Sequence, residues 1–439
     1  MTIAAGSDEQ AQGYFPRWKL KTSGVIMPEE RLSWGQTIVS GLQHCVAMSG
    51  STIIAPLLMG FDPNVAVMFS GIGTLIFFVI VAGRVPSYLG SSFAFIAVVI
   101  AATGYAGQGP NPNVSVALGG IIGAGVLYGV IALTVMWSGV GWVERLMPPA
   151  VTGAVVAAIG LNLAPVAVKA VSANAFDTGT GLATVLVIGV VAVAAPRLWR
   201  RLPIILGAIG GYLLYLLFAN GLGFAKPIDF TRLVAAPWLG LPNFTTPTFQ
   251  ADAIFLIAPV AVILVAENLG HIKAVGAMTG RSLDGYLGRA LFADSLATVV
   301  AASGGGTGVT TYAENIGVMA ATKVYSTLLF AFAAVVSILL GFSPKFGALI
   351  LSIPGPVIGG LSIVLFGLIA AMAGRIWVEN KVDFANPANL ITVAVALTAG
   401  AGDLTLKVGA FTIGGIGTAT FGAILFYQIL TSPLARRAD

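Results

Sequence analysis

Glu267 and His271 stand four residues apart in one apolar stretch, so a helix through them carries both on a single face. A second acid, Glu314, precedes Asn315 in another such stretch, Gln43 and His44 are adjacent in a third, and Asp294 lies in a fourth. His44 and His271 are the chain's 2 histidines, so both are intramembrane if these stretches cross a bilayer. A carboxylate in hydrocarbon costs several kcal/mol, so each such acid must be protonated, paired or holding a ligand. The chemistry open to these groups is proton carriage and acceptance of hydrogen bonds from a bound N–H. Hydrolysis and group transfer find no support, because no phosphate loop, metal-spaced His/Cys cluster or nucleophile elbow is present. Every candidate also has a packing role: Glu267 and His271 as an interhelical hydrogen bond, Glu314 as a helix cap, Gln43 and His44 as a bridge to a neighbouring span. Asp294, near the end of a short span, reads as a water-facing residue.

The elements that must position these groups are set by composition. Of 439 residues, 57% are hydrophobic and 9% are charged, and the mean hydropathy is +0.94. Soluble domains carry about 25% charged residues. That excludes a cytosolic enzyme, a disordered protein and a secreted disulfide scaffold, and Cys45, the 1 cysteine, allows no internal disulfide. The expected class is an all-α polytopic membrane protein. A span needs about 20 apolar residues, and fourteen segments qualify: 34–59, 64–83, 86–104, 114–137, 146–168, 180–196, 203–222, 251–278, 287–303, 307–321, 324–341, 346–374, 388–407 and 409–430. No cleavable leader precedes the first, which is expected to direct insertion itself. With residues 1–33 and 431–439 as cytoplasmic tails, most of the 22 basic residues fall inside, from Arg17 and Lys19 to Arg436 and Arg437. The pI near 9.3 then reflects this bias about the membrane lipids, and no nucleic-acid partner is implied.

Pro148–Ala154 in span five matches Pro354–Gly360 in span twelve, Ser91–Ala94 in span three matches Thr310–Ala313 in span ten, and Gln43–His44 in span one falls opposite Glu267–Asn268 in span eight. Each match pairs span n with span n+7. Seven is odd, so the second repeat enters from the opposite face: a 7+7 inverted repeat, the plan of secondary transporters that bind near the midplane. Residues 223–250 are the connector. Spans three and ten read as discontinuous, with Ser91-Ser92-Phe93 and Thr310-Thr311-Tyr312 as extended segments running into half-helices. Their free N–H groups suit carbonyl oxygens or developing negative charge. Kinked packing helices are the alternative.

The run Glu314-Asn315-Ile316-Gly317-Val318-Met319-Ala320-Ala321-Thr322-Lys323 resembles the signature of the nucleobase–ascorbate transporters, the second family of nucleobase:cation symporters, at all its fixed positions. Gln43-His44 is similar to the Gln-His pair of that family's first helix, and Ala266–His271 to the binding segment of its eighth. The resemblance spans about 30–430. Glu314 with His271 resembles the uracil/pyrimidine permease branch, whereas purine carriers place Gln at the first signature position. Ala313 departs from the Gly common in uracil permeases: it keeps an N–H donor but sets a methyl beside the ligand.

The resemblance implies a core domain of spans one to four and eight to eleven (34–138 and 251–341) and a gate domain of spans five to seven and twelve to fourteen (139–222 and 342–430). It implies a homodimer contact through the gate, a bacterial cytoplasmic membrane and motion of core against gate. Uracil is the expected substrate, with Glu267 and Glu314 accepting from its N–H edge. Amides at Phe93 and Ala313 donate to its carbonyls, Phe93 and Tyr312 cover its ring faces, and Ser92 lies alongside. Glu267 with His271 carries the proton and Glu314 mainly reads the base, the reverse assignment being the alternative, while Gln43, His44 and Asn315 support the site. The expectation is a symporter and not an enzyme, with no metal or cofactor and the proton gradient as energy source. A xanthine or other purine symporter, or an anion exchanger on the same plan, are the alternatives.

Overall fold

The computed structural model describes residues 13–105, 109–196, 199–408 and 411–432; the expected C-terminal tail from 433 onward lies outside them. A polar N-terminal segment carries β1 (Lys19–Leu20) and β2 (Glu30–Arg31). The first half then runs through α1 (Trp34–Met59), α2 (Pro63–Ile80), β3 (Leu89–Ser91), α3 (Ala94–Thr103), α4 (Val114–Ser138), α5 (Gly141–Leu146), α6 (Pro149–Val171), α7 (Ala175–Ala194) and α8 (Pro203–Tyr215). Beyond the short α9 (Thr231–Ala235) follow α10 (Ala251–Ile257), α11 (Val260–Thr279), α12 (Asp284–Ser303), β4 (Val309–Thr311), α13 (Ala313–Thr322) and α14 (Leu328–Gly341). The chain closes with α15 (Pro344–Leu351), α16 (Gly355–Glu379), α17 (Pro387–Ala401), a hairpin of β5 (Leu406–Val408) and β6 (Phe411–Ile413), and α18 (Gly415–Leu430).

Local chemistry sets the boundaries. Asp62 accepts from the N–H groups of Asn64 and Val65, and Pro63 opens α2 where no N–H is needed. Gly60 ends α1 in the left-handed region, at φ 72°. Eight of the described helices are long and apolar enough to cross a bilayer, so the chain is a multi-pass membrane protein. On α7, Leu182, Leu186, Val190 and Val193 form an exposed apolar stripe, as a lipid-facing helix requires.

The structure differs from the sequence expectation in several places. It is mostly helical, not all-α, because β3 pairs antiparallel with β4 through Leu89↔Thr311, Gly90↔Thr310 and Ser91↔Val309. The expected span 346–374 is two helices: α15 turns 82° from α14, and Pro354 and Pro356 force a restart at Gly355. The junction between the last two spans holds a turn after α17 and the antiparallel pair β5–β6, with β6 against α10.

The helices pack as two groups. One is built on α1, α2, α4, α12 and α14, the other on α6, α7, α8, α16, α17 and α18, with α11 touching both. Within the second group, α6 and α16 cross so closely that a side chain at Gly160 would lie 2.5 Å from the Phe366 carbonyl.

The N-terminal segment is a strap across one face of the first group. Just past the end of α13, Ile26 N–H donates to the Lys323 carbonyl and the Ile26 carbonyl accepts from Tyr325 N–H, Trp18 donates to Thr327 Oγ1 at 3.0 Å, and Phe15 and Trp18 stack on Phe78. Arg281 clasps Glu29 with two bonds of 2.6 and 2.8 Å. Burial works to raise the Glu29 pKa, but the Arg281 hydrogen bonds and charge outweigh it and hold the carboxyl below the 4.5 of a free glutamate. A depressed folded value means that this stabilisation is complete above the free value and fades as pH falls through the folded one. Amide exchange over residues 13–33, corrected for intrinsic rates, is expected to lose protection as pH is lowered from about 5 toward 3. The change should be modest, since the pair is half-exposed, and smaller in Glu29→Gln. Wild-type protection that ignores pH would exclude this clasp.

Candidate functional site

The strand pair lies between two helices that point away from each other. The segment β3–α3 leaves the strap face, where Gly83 accepts from Thr327, and reaches the opposite face, where Asn111 bonds Gly60. The segment β4–α13 runs the other way, from Gly304, which bonds Thr245, to Lys323, which bonds Ile26. Two ten-residue helices therefore begin near the middle of the molecule, at Ala94 and Ala313. The first N–H groups of a helix have no partner within it, so Phe93 and Ala313 stand where such donors are available. Buried hydroxyls satisfy the strands: Thr298 Oγ1 bonds both the N–H and the carbonyl of Val309, Thr74 Oγ1 accepts from Leu89 N at 2.9 Å, and Thr307 donates to Ser91 Oγ at 2.6 Å.

Around these helix starts the structure gathers most of the residues singled out by sequence. Glu267 and Glu314 lie close enough for their charges to interact, and each is half-buried. Glu267 has no hydrogen-bond or ion-pair partner among the described residues. A side chain at neighbouring Gly270 would meet nothing within 4 Å, so this face of α11 borders open space. His271 shares the face but bonds Thr311 Oγ1 through Nδ1 at 2.8 Å, not Glu267. Ser92 is buried and its hydroxyl accepts from Ala94 N at 3.3 Å. Phe93 stands edge-on to Phe366 of α16, with ring centres 5.9 Å apart, so the two helix groups meet at this point.

Behind α13, His44 packs edge-to-face with Phe330 at 4.8 Å and lies beside Asn315, and among the described residues no well-aligned hydrogen bond forms at His44 Nδ1 or on the Asn315 amide. Gln43 Nε2 is likewise buried with no hydrogen-bond partner among the described residues. Tyr312 sits elsewhere than expected. Its ring lies against Gly90 and its hydroxyl donates to the Ser91 carbonyl at 2.8 Å, which places it inside the strand layer. Asp294, read as water-facing, is fully buried and takes a hydrogen bond from Asn268, which also donates to the Tyr128 hydroxyl at 3.1 Å.

Sequence reasoning missed Ser51, Thr311 and Phe366. Ser51 lies two turns beyond His44 on α1, a spacing that could have placed it on the same face. The other two make their contacts only through tertiary packing. Around the two helix starts the described residues offer carboxylate acceptors, backbone donors of first helical turns and an aromatic ring. That set can hold a small, flat, uncharged ligand with both N–H and C=O groups.

A model of the Xan_ur_permease family, described as a permease family, matches residues 35–409. The chain belongs to this permease family. Its relatives are transporters, and it is a transporter and not an enzyme. The Escherichia coli K12 protein named "Putative pyrimidine permease RutG" is 62% identical over 424 residues, covering 96% of each chain. The uracil permease of Paenibacillus larvae is 40% identical, covering 92% of this permease and 97% of that one, and the uracil permease of E. coli K12 is 38% identical, covering 93% and 95%. Among solved structures, the transmembrane domain of the cyanobacterial bicarbonate transporter BicA superposes with a TM-score of 0.60 at 16% identity, covering 90% of this permease and 98% of that chain. Murine Slc26a9, an anion transporter in its inward-facing state, gives 0.65 at 12%, covering 92% and 69%. At such low identity these two speak for the fold alone.

Proposed function

We propose that this permease carries uracil, and other pyrimidines of its shape, into the cell together with a proton. The observation that supports this most directly is the pairing of a partnerless carboxyl, Glu267, with a second acid, Glu314, at the start of a ten-residue helix. Two carboxyl acceptors suit the N–H edge of uracil, and the amides at Phe93 and Ala313 suit its carbonyls. Phe93 covers the ring; Tyr312, held in the strand layer, braces the site from behind. Because the substrate is neutral, an acid that gains and loses a proton must supply the coupling, and Glu267 is free of any ion pair that would oppose this. The high identity to permeases named for pyrimidines and uracil supports the choice of base, and Glu314 supports it over a purine through the resemblance. Two acids near one another disfavour an anion.

In this reading the chain crosses the bacterial cytoplasmic membrane fourteen times as a 7+7 inverted repeat, with both termini inside and a homodimer joined through the gate. The two packed groups act as core and gate. At the strap face, Lys273 of α11 forms an ion pair with Glu144 of α5, which is tied to α18 because Gln428 donates to the Arg145 carbonyl. If core moves against gate there, joining cysteines at 144 and 273 with a bifunctional thiol reagent, in a Cys45→Ala background, should stop uptake. A reducible linker should allow recovery. Undiminished uptake by fully linked protein would rule out this motion.

The function itself is tested by uptake of labelled uracil into proteoliposomes, with and without an inward proton gradient and with excess xanthine. Gradient-driven accumulation that resists xanthine is expected. Full competition by xanthine would transfer the reading to a purine carrier, and absence of any uracil uptake would overturn it.

A further inference from the structure

Glu314 is held from outside its own helix. It lies in the first turn of α13, and the donor that meets its carboxyl comes from α1: the hydroxyl of Ser51, with the serine only 1% exposed, donates to Oε1. The residue's own backbone N–H also lies against the carboxyl. Oε2 has no side-chain partner among the described residues. A glutamate left to itself turns about three side-chain bonds and loses that freedom when it grips a ligand. One whose first oxygen is already tied has lost much of it in advance, and preorganisation of this kind strengthens binding. Ser51 occupies one of the acceptor positions of the carboxyl and leaves the others for a ligand.

We propose that Ser51 is the positioning residue for Glu314: it anchors the carboxyl to α1 in one orientation, and so sets how tightly the permease holds the N–H of its base. Ser51 takes no part in moving the proton, because its contact is with Glu314 and not with Glu267. The proposal rests on the reading of Glu314 as a base-binding residue. It separates two functions within one pair of acids, with α1 tuning affinity and α11 carrying the coupling.

The test compares Ser51→Ala and Ser51→Thr with wild type in proteoliposomes, measuring KM and maximal rate of labelled uracil uptake and the amount of folded transporter per vesicle. Loss of a hydrogen bond to a charged acceptor should raise KM about tenfold in Ser51→Ala, with maximal rate and gradient dependence within about twofold of wild type. Ser51→Thr, which keeps the hydroxyl, should recover most of the affinity. An unchanged KM in Ser51→Ala would overturn the proposal. So would a fallen maximal rate at constant KM, or a threonine variant as weak as alanine at equal folded amount, since shape rather than the hydroxyl would then be at work. The wild-type arm tests the underlying reading separately. If wild type takes up xanthine or thymine but not uracil, the same ratios are measured with that base and support or overturn Ser51 alone. If it takes up none of them, the reading of Glu314 fails and Ser51 falls with it.

Discussion

Glu267→Gln is expected to abolish accumulation of uracil against its gradient while leaving downhill exchange across the membrane measurable. The amide keeps the size of the side chain and can still hydrogen-bond a base, but it has no proton to release. Among the acids near the site, Glu267 is the one with no hydrogen-bond or ion-pair partner among the described residues: Glu314 is tied to Ser51, and Asp294 to Asn268. Freedom from a fixed partner is what a group needs if it is to exchange protons with each face in turn. Steady-state accumulation should fall to simple equilibration, with uracil no more concentrated inside the vesicles than outside. Measuring accumulation ratio and counterflow on the same vesicles separates the two activities. Wild-type accumulation by the variant would remove Glu267 as the proton carrier. Because the acids feel one another's charge, a pH profile reports the set rather than a single residue.

Gly90→Val is expected to cut the yield of folded transporter more than tenfold. The first side-chain carbon at this position would lie 2.5 Å from both Thr52 Oγ1 and the Tyr312 ring. Neither neighbour can retreat cheaply. Tyr312 is pinned at the Ser91 carbonyl and contacts Thr52 at 3.3 Å, and Gly90 itself is paired with Thr310. Overpacking of this kind typically costs 1–3 kcal/mol or more, and here it falls on the layer that joins the halves of the chain. Gly367→Ala is the control, since its side chain would meet nothing within 4 Å. Size-exclusion profiles of detergent-solubilised protein give the comparison; equal yields from both variants would mean that the strand layer tolerates displacement.

Much of this architecture was legible before any coordinates. Apolar length located nearly every helix, and the Ser91–Ala94 and Thr310–Ala313 matches picked out the two segments that form β3–α3 and β4–α13. What remained hidden was which neighbour each polar side chain finds. Asp294 looked peripheral because its span is short, yet α12 packs between α2 and α4, which buries it completely. Tyr312 looked like a ligand contact because aromatic rings suit flat bases, whereas the absent side chain at Gly90 opens a slot that the ring fills. His271 looked like a partner for Glu267 because helical spacing reports a shared face, not the Thr311 hydroxyl across from it. Hydropathy also ran α15 into α16, since both are apolar and only Pro354 and Pro356 mark the break.

The β3–β4 ladder bears on how the molecule is made. Its partners are more than two hundred residues apart: Ser92 N bonds the Gly308 carbonyl at 2.9 Å, and Tyr312 N bonds Tyr88 at 3.1 Å. Synthesis proceeds from the N-terminus, so β3 enters the bilayer long before β4 exists. Open backbone at that depth cannot be left against lipid. The segments made before β4 must therefore keep the β3 edge away from lipid until β4 arrives. The ladder can close only once the chain has been made through Thr311, and a chain that ends earlier leaves the β3 edge unpaired.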